Sequence, residues 1–403
     1  MQIIGTFIIE MIMGSTLNWT ILKTYALNEL GENKEETHLQ KVESFLLIVE
    51  LNLGMLARLY LNKYFNRKVK MVVLLLQIVI YSFSLFLFGF IKDIPLILNI
   101  LPNIYVFLLG LVLLDPMDSM LNENPLNFGM VDKCICQFLG GISFGWLIFG
   151  LVLQLLINPK IGDLSDSEDI HYKRGCLIYA MLIFILGGVG TYLWFPRYST
   201  VEEEFDSKEN LRGAMNSRNV IHNTFLVQEK RMYKDEHFYM IMYQFIMLFT
   251  PAIGSLNYIN YQGEYIFITY CVMGVATTIG AFLPTLISQP YKINIIVSLC
   301  QIGMMIALNL LGVVYGHLIL KLLCLSLQFI LFGFILSFNV IILQTTYDNV
   351  VDNIPIAFIA LTLAVLSQYA VFVFLGNKKL IQSIEFSLIL LSFLTNILNN
   401  YKQ

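Results

Sequence analysis

Apolar runs long enough to cross a bilayer follow one another along most of this chain, each closed by a short polar break. A spanning helix needs roughly 20 mostly apolar residues. About twelve such runs can be marked, near 3–28, 42–62, 70–91, 96–121, 133–157, 174–195, 236–258, 264–287, 292–314, 318–344, 354–375 and 381–399. Lipid offers no partner to a free N–H or C=O, so each run must satisfy its backbone within itself, which predicts a helix for every one. Only Asn377, Lys378 and Lys379 separate the last two runs, so eleven spans followed by an interfacial helix is the alternative count.

One polar stretch is far longer than the others. Residues 196–235 hold Glu202-Glu203-Glu204 together with several Lys and Arg. Six runs precede it and five or six follow. The chain therefore divides into an N-terminal six-helix bundle over 1–195, a cytoplasmic loop over 196–235 and a C-terminal five- or six-helix bundle over 236–403. That layout is the outline of the major-facilitator architecture, two helical halves around a central cavity. The expected fold is an all-α polytopic membrane protein with 11–12 transmembrane helices in two bundles.

Orientation follows from basic residues in short loops. Lys63, Arg67, Lys68 and Lys70 flank the second break, and Arg197, Lys208, Arg212, Arg218, Lys230, Arg231 and Lys234 lie in the central one. Both are cytoplasmic if the N-terminus is cytoplasmic, while the acidic stretch Asp163 to Asp169 falls outside or in an organelle lumen. Residues Met1 to Met13 lack a basic leader and carry Glu10, so they read as the first span rather than a cleaved signal. The plasma membrane is the expected location, with an organelle membrane as the alternative.

Composition sharpens this picture by exclusion. Apolar residues make up 57% of the chain and charged residues 13%, about half the usual charged share of a soluble domain. A net charge of −3 gives nucleic acid no electrostatic footing. The six cysteines are scattered, and Cys134-x-Cys136 has the wrong spacing for a structural zinc site. No phosphate loop, metal motif or nucleophile elbow is present, which argues against an enzyme and against any cofactor or metal.

Ionisable groups at membrane depth are costly and face a cavity or a partner. Glu10 in span 1, Glu50 in span 2, and Asp115 with Asp118 in span 4 are the main cases. Asp115 and Asp118 stand three apart on one helical face, and Pro116 between them frees a carbonyl. They read either as groups for substrate hydroxyls or a proton, or as solvated residues beyond a span that ends near Leu114. Arg58 lies too far along its helix from Glu50 to meet it unaided, and a structural ion pair at the cytoplasmic edge accounts for it. Gln244, Gln301 and Asn339 suit interhelical hydrogen bonding as well as substrate contact. Gly140, Gly141, Gly145 and Gly150 form a small face on span 5 that lets another helix approach closely.

Several segments, in order, resemble the equilibrative nucleoside transporter family. Gly14-Ser15-Thr16-Leu17-Asn18-Trp19-Thr20 is similar to that family's Gly-x-x-Leu-Pro-Trp-Asn, with Asn18 and Thr20 in place of its proline and asparagine. Leu59 to Val73 resembles its basic loop into span 3, and Gly140 to Gly145 its glycine segment in span 5. Trp194-Phe195-Pro196-Arg197 resembles its Leu-Pro-Arg exit from span 6. Leu248-Phe249-Thr250-Pro251-Ala252 resembles its Leu-Phe-Pro-Ala segment with one residue inserted. Thr277 to Pro284 resembles Asp-x-x-Gly-Arg-Ser-Leu, with Thr277 and Ala281 standing where that family has Asp and Arg. Its span-4 glutamine falls on Ser119, counting back from Gly145. The resemblance covers most of spans 1 to 9.

The resemblance implies a facilitative transporter of nucleosides, nucleobases or similar small polar solutes, acting as a monomer in the bilayer. Trp19 is then expected to stack near the base with Leu17 packed beside it. Asp115, Asp118 and Ser119 are expected to supply hydrogen bonds from the first half, and Thr277 and Asn339 from the second. Another major-facilitator carrier, for sugars, amino acids or organic anions and proton-coupled or not, is the first alternative. A non-transporting membrane subunit is the second.

Overall fold

A computed structural model describes residues 2–18, 22, 38–61, 67–90, 95–113, 115, 128–157, 171–211, 236, 238–239, 242–243, 246, 266–286, 293–313, 317–347, 359, 362–363, 366, 383–384, 386–391 and 393–394. Every regular element among them is helical. Helix α1 covers Gln2–Ser15 and runs into a turn of 3-10 helix, Thr16–Asn18. Then come α2 (His38–Leu61), α3 (Arg67–Phe90), α4 (Pro95–Val112), α5 (Phe128–Ile157) and α6 (Tyr172–Leu211). After the central break follow α7 (Ile266–Phe282), α8 (Ile293–Val313) and α9 (Leu318–Tyr347). These match spans one to six and eight to ten of the sequence reading. The seventh, eleventh and twelfth lie mainly outside the described residues.

Among the described residues, four stretches are long and apolar enough to cross a membrane: Val69–Gly89, Lys133–Ile157, Tyr172–Phe195 and Leu318–Ile342. Shorter apolar stretches occupy Ile3–Ser15, Leu101–Val112, Cys271–Leu286 and Ser298–Leu311. The protein is an all-α, multi-pass membrane protein.

Two boundaries depart from the expectation. The sixth helix does not stop at 195 but runs 40 residues to Leu211, about 60 Å at 1.5 Å per residue. A bilayer core takes roughly half of that length, so the acidic end of α6 stands clear of it. The extension carries four Glu, which favour helix. Helix α4, in contrast, ends at Val112, with Leu113 in a turn.

Helix α1 packs against α5 and α6, α3 against α4 and α6, and α2 against α4. Helix α9 packs against α7 and α8, and α7 against α5. The α5–α7 contact therefore joins helices from before and after the central break. An apolar cluster runs across the same join, from Ile9, Leu74, Leu109 and Phe138 to Ala281 and Val340.

In lipid, helices associate through close van der Waals packing rather than through expulsion of water, and glycine permits the closest approach. At the α1–α5 crossing a methyl group at Gly14 would strike the carbonyl of Ile142, and one at Gly145 the backbone of Met11. The rings of Phe7 and Phe144 stack beside this crossing with centroids 6.1 Å apart. Between α5 and α7, Gly140 receives the ring of Phe282, and Gly274 the side chain of Leu147. The end of α1 is closed from α3, where the Tyr81 hydroxyl donates to the Ser15 carbonyl at 3.0 Å. That bond satisfies one of the carbonyls a helix end leaves open.

A pair of glycine substitutions tests whether the α1–α5 crossing carries stability. Gly145→Ala is expected to destabilise the protein by about 1–3 kcal/mol through overpacking. Gly188→Ala, where a methyl group meets nothing within 4 Å, is expected to be neutral or to stabilise by about 0.5–1 kcal/mol. Reversible unfolding in mixed detergent micelles measures both, and equal losses would show that the crossing is not tight.

Candidate functional site

Three charged side chains meet where α2, α3 and α4 come together. Arg58, one turn from the end of α2, donates through Nη2 to Asp115 Oδ1 at 2.8 Å. Lys70, in the first turn of α3, places Nζ 3.5 Å from the same oxygen. Relative exposures of 7% for Arg58, 6% for Lys70 and 3% for Asp115 make this a buried cluster. Charges this enclosed are tolerated only when paired, and removing one partner strands the other. Asp115 also lies just past the end of α4, where the open carbonyls of the helix already carry partial negative charge. The two cations balance both.

This arrangement joins residues that the sequence pattern treated separately. Lys70 had counted among the loop charges that set orientation, and Arg58 had been weighed against Glu50. The available signal was that Lys70 directly precedes an apolar run, Met71-Val72-Val73, and so falls inside the first turn of a span.

The remaining predicted residues are more dispersed. Thr277 is buried on α7, and its Oγ1 donates to the Met273 carbonyl at 2.8 Å. Thr278 does the same to Gly274, also at 2.8 Å. Such bonds back to the preceding turn satisfy a hydroxyl within its own helix. Asn339 is buried on α9, and its Nδ2 has no hydrogen-bond partner. Leu17 belongs to the turn after α1. Trp19, Asp118 and Ser119 lie outside the described residues, as does the side chain of Leu17. Among the described residues, no hydrogen bond or ion pair joins Asp115 to Thr277 or Asn339.

Further polar groups lie at membrane depth, and of these Gln328, Asn52 and Gln77 escaped the sequence reading. Gln328 on α9 is fully buried with neither amide atom hydrogen-bonded, about three turns from Asn339 on the same face. Gln301 is buried on α8. In the first half, Asn52 and Gln77 are buried with one amide atom each unpartnered. Glu10 is wholly enclosed, and neither carboxyl oxygen has a hydrogen-bond partner. Buried polar atoms are nearly always paired in folded proteins, so each exception needs a reason.

No family model matches the chain, and no curated protein matches it by sequence. Among solved structures it is similar to the xylose transporter XylE from E. coli in a partially occluded inward open conformation. The TM-score is 0.64 at 14% identity, covering 97% of this chain and 96% of that one. It is similar also to the major facilitator superfamily proton:xylose symporter XylE bound to 6-bromo-6-deoxy-D-glucose. There the TM-score is 0.64 at 14% identity, covering 98% of this chain and 94% of that one.

The chain has the major-facilitator fold. In this fold the two halves enclose a site near the bilayer midplane, and a solute reaches it from one side at a time. Asn339 and Gln328 lie on a helix of the second half, and Glu10, Asn52 and Gln77 on helices of the first. The Arg58–Asp115–Lys70 cluster ties together three helices of one half.

That cluster has a measurable weight. Asp115→Asn, which leaves two buried cations without their counter-charge, is expected to cost about 3–5 kcal/mol. Lys70→Met is expected to cost less than Arg58→Met, because the lysine lies farther from the shared oxygen. Equilibrium unfolding of the three variants decides it, and a loss below about 1 kcal/mol, as for a solvated pair, would show the cluster to be hydrated.

Proposed function

We propose that this protein is a facilitative transporter of small polar solutes that works by alternating access, its halves rocking about the α5–α7 contact. The observation that carries this reading is the combination of a major-facilitator fold over the whole chain with uncharged amides left unpaired at membrane depth. Asn339 and Gln328 on α9, with Asn52 and Gln77 in the first half, have hydrogen-bonding capacity that no described residue uses. A polar solute supplies the missing partners. In lipid, leaving such groups unpaired costs free energy, so their retention fits binding better than packing.

The substrate class rests on the resemblance of the helices to equilibrative nucleoside transporters. In this reading Trp19 stacks on a nucleobase with Leu17 beside it, while Asp118, Ser119, Thr277 and Asn339 bond to its polar edge and sugar. Asp115 carries two cations already, which favours a positioning role: it holds the ends of α2, α3 and α4 in register rather than contacting the solute. The N-terminus faces the cytoplasm, as the basic loops require, and no cofactor takes part. A second reading is a sugar carrier, favoured by the likeness of fold to a xylose transporter and by the absence of the Asp–Arg pair that Thr277 and Ala281 replace.

Uptake of radiolabelled adenosine, hypoxanthine, xylose and glucose by the purified protein in liposomes separates the readings. Saturable purine uptake is expected, with Trp19→Ala weakening it about fivefold to a hundredfold. That range follows from stacking worth about 1–3 kcal/mol per base at 1.4 kcal/mol per decade. Elution of the variant as a folded species must be unchanged. Sugar uptake without purine uptake selects the second reading, and no uptake of any of the four points to a non-transporting membrane subunit.

A further inference from the structure

Glu10 lies midway along α1, about 12 Å from the start of the helix at 1.5 Å per residue. It has 0% exposure, and neither carboxyl oxygen has a hydrogen-bond partner. It faces α5, where a methyl group on Gly141 would come within 2.5 Å of Oε2, so the glycine makes the room that the carboxyl occupies. Its neighbours Ile9 and Met13 belong to the apolar cluster that joins the two halves. Gly140, adjacent to Gly141, takes the ring of Phe282 from the other half. The carboxyl therefore sits one residue behind the surface on which the halves meet.

Among the described residues no cation pairs with it, and Lys133 on α5, beside Cys134, is exposed. Helix α5 places Cys134 within electrostatic reach. Helix α6 meets α1 through Gly190, Leu193 and Trp194, and over Tyr172 to Phe195 its charged residues, Lys173 and Arg174, are exposed at the opposite end. Helix α7 carries no charged residue over Ile266–Phe282. An ionised carboxylate without water, cation or donor is far more costly than a neutral acid with one unmade hydrogen bond. The contrast with Asp115 is one of contacts: Asp115 lies against two cations, and Glu10 has no hydrogen-bond partner for either oxygen.

We propose that Glu10 is a proton-binding site whose proton exchanges with water when the halves separate, so that a proton crosses the membrane with the solute. This rests on the alternating-access reading above and replaces its uncoupled, facilitative form with proton-coupled uptake. While the α1–α5–α7 contact is closed, the carboxyl keeps its proton. When Phe282 withdraws from Gly140, water reaches Oε1 and Oε2. The O–H bond then breaks, the proton passes to water on that side, and the bond forms again with a proton drawn from water on the other side. No other reactant is consumed.

The test has one arm that needs no solute. Infrared spectra of the purified protein in lipid nanodiscs at neutral pH are expected to show the carbonyl stretch of a protonated carboxylic acid, and Glu10→Gln is expected to lose it. Identical spectra would overturn the proposal. In the second arm, liposomes carry an inward proton gradient, and wild-type protein is expected to concentrate whichever of the four solutes it exchanges. Glu10→Gln is expected to keep solute exchange at zero gradient but to lose accumulation entirely, with Cys134→Ser behaving as wild type. Accumulation by Glu10→Gln equal to wild type, or exchange without accumulation by wild type, would overturn proton coupling and leave transport standing. Failure to exchange any of the four overturns the transport reading instead, and the spectra still decide whether Glu10 holds a proton.

Discussion

The close crossing of α1 and α5 governs much of what surrounds it. With Gly14 against the backbone of Ile142 and Gly145 against that of Met11, the two helices approach until main chain nearly touches main chain. Such contact replaces the water-expulsion drive that is missing between helices in lipid. It also leaves no space for solvent. A carboxyl carried into that crossing, as Glu10 is, must take whatever state a dry site allows. The same helix α5 then turns Gly140 and Leu147 toward α7, so a single element sets both the packing of the first half and its contact with the second.

Two acidic residues show how one physical cost can be met in different ways. Asp115 is surrounded by Arg58 and Lys70 from two neighbouring helices, which fastens three helices together. Glu10 has no such company among the described residues. Pairing suits a fixed structural role, because separating the partners is expensive. Isolation suits a group whose charge changes when its surroundings become wet. Both features lie before the central break of the chain.

Fold and substrate are distinct matters here. A likeness over nearly the full length of both chains at 14% identity establishes how the helices are arranged, yet the same arrangement serves unrelated solutes. In the reading proposed above, the choice between a purine and a sugar would reside in a few side chains. Hydrogen-bonding groups such as Asn339 and Gln328 suit either, whereas an aromatic residue such as Trp19 would favour a flat ring.

Much of the fold was legible in the chain because the membrane imposes a simple rule: apolar length is helix, and polar length is a break. The spans over 70–91, 133–157 and 318–344 correspond to α3, α5 and α9 for that reason. The rule fails at their ends, since Glu-rich sequence is itself helix-forming, so α6 continues to Leu211. The small face on span 5 was also visible, but which helices it meets was not. The site was legible only as an inventory of polar residues. That Arg58 would find Asp115 rather than Glu50, that Lys70 would be buried, and that Glu10 would lack any partner all depend on residues far apart in the chain. By itself the sequence determined the solvent, the helical class and the break between halves, because those follow from local hydrophobicity. Only the tertiary structure decided which buried charges are neutralised, because that depends on which helix faces cross and how closely.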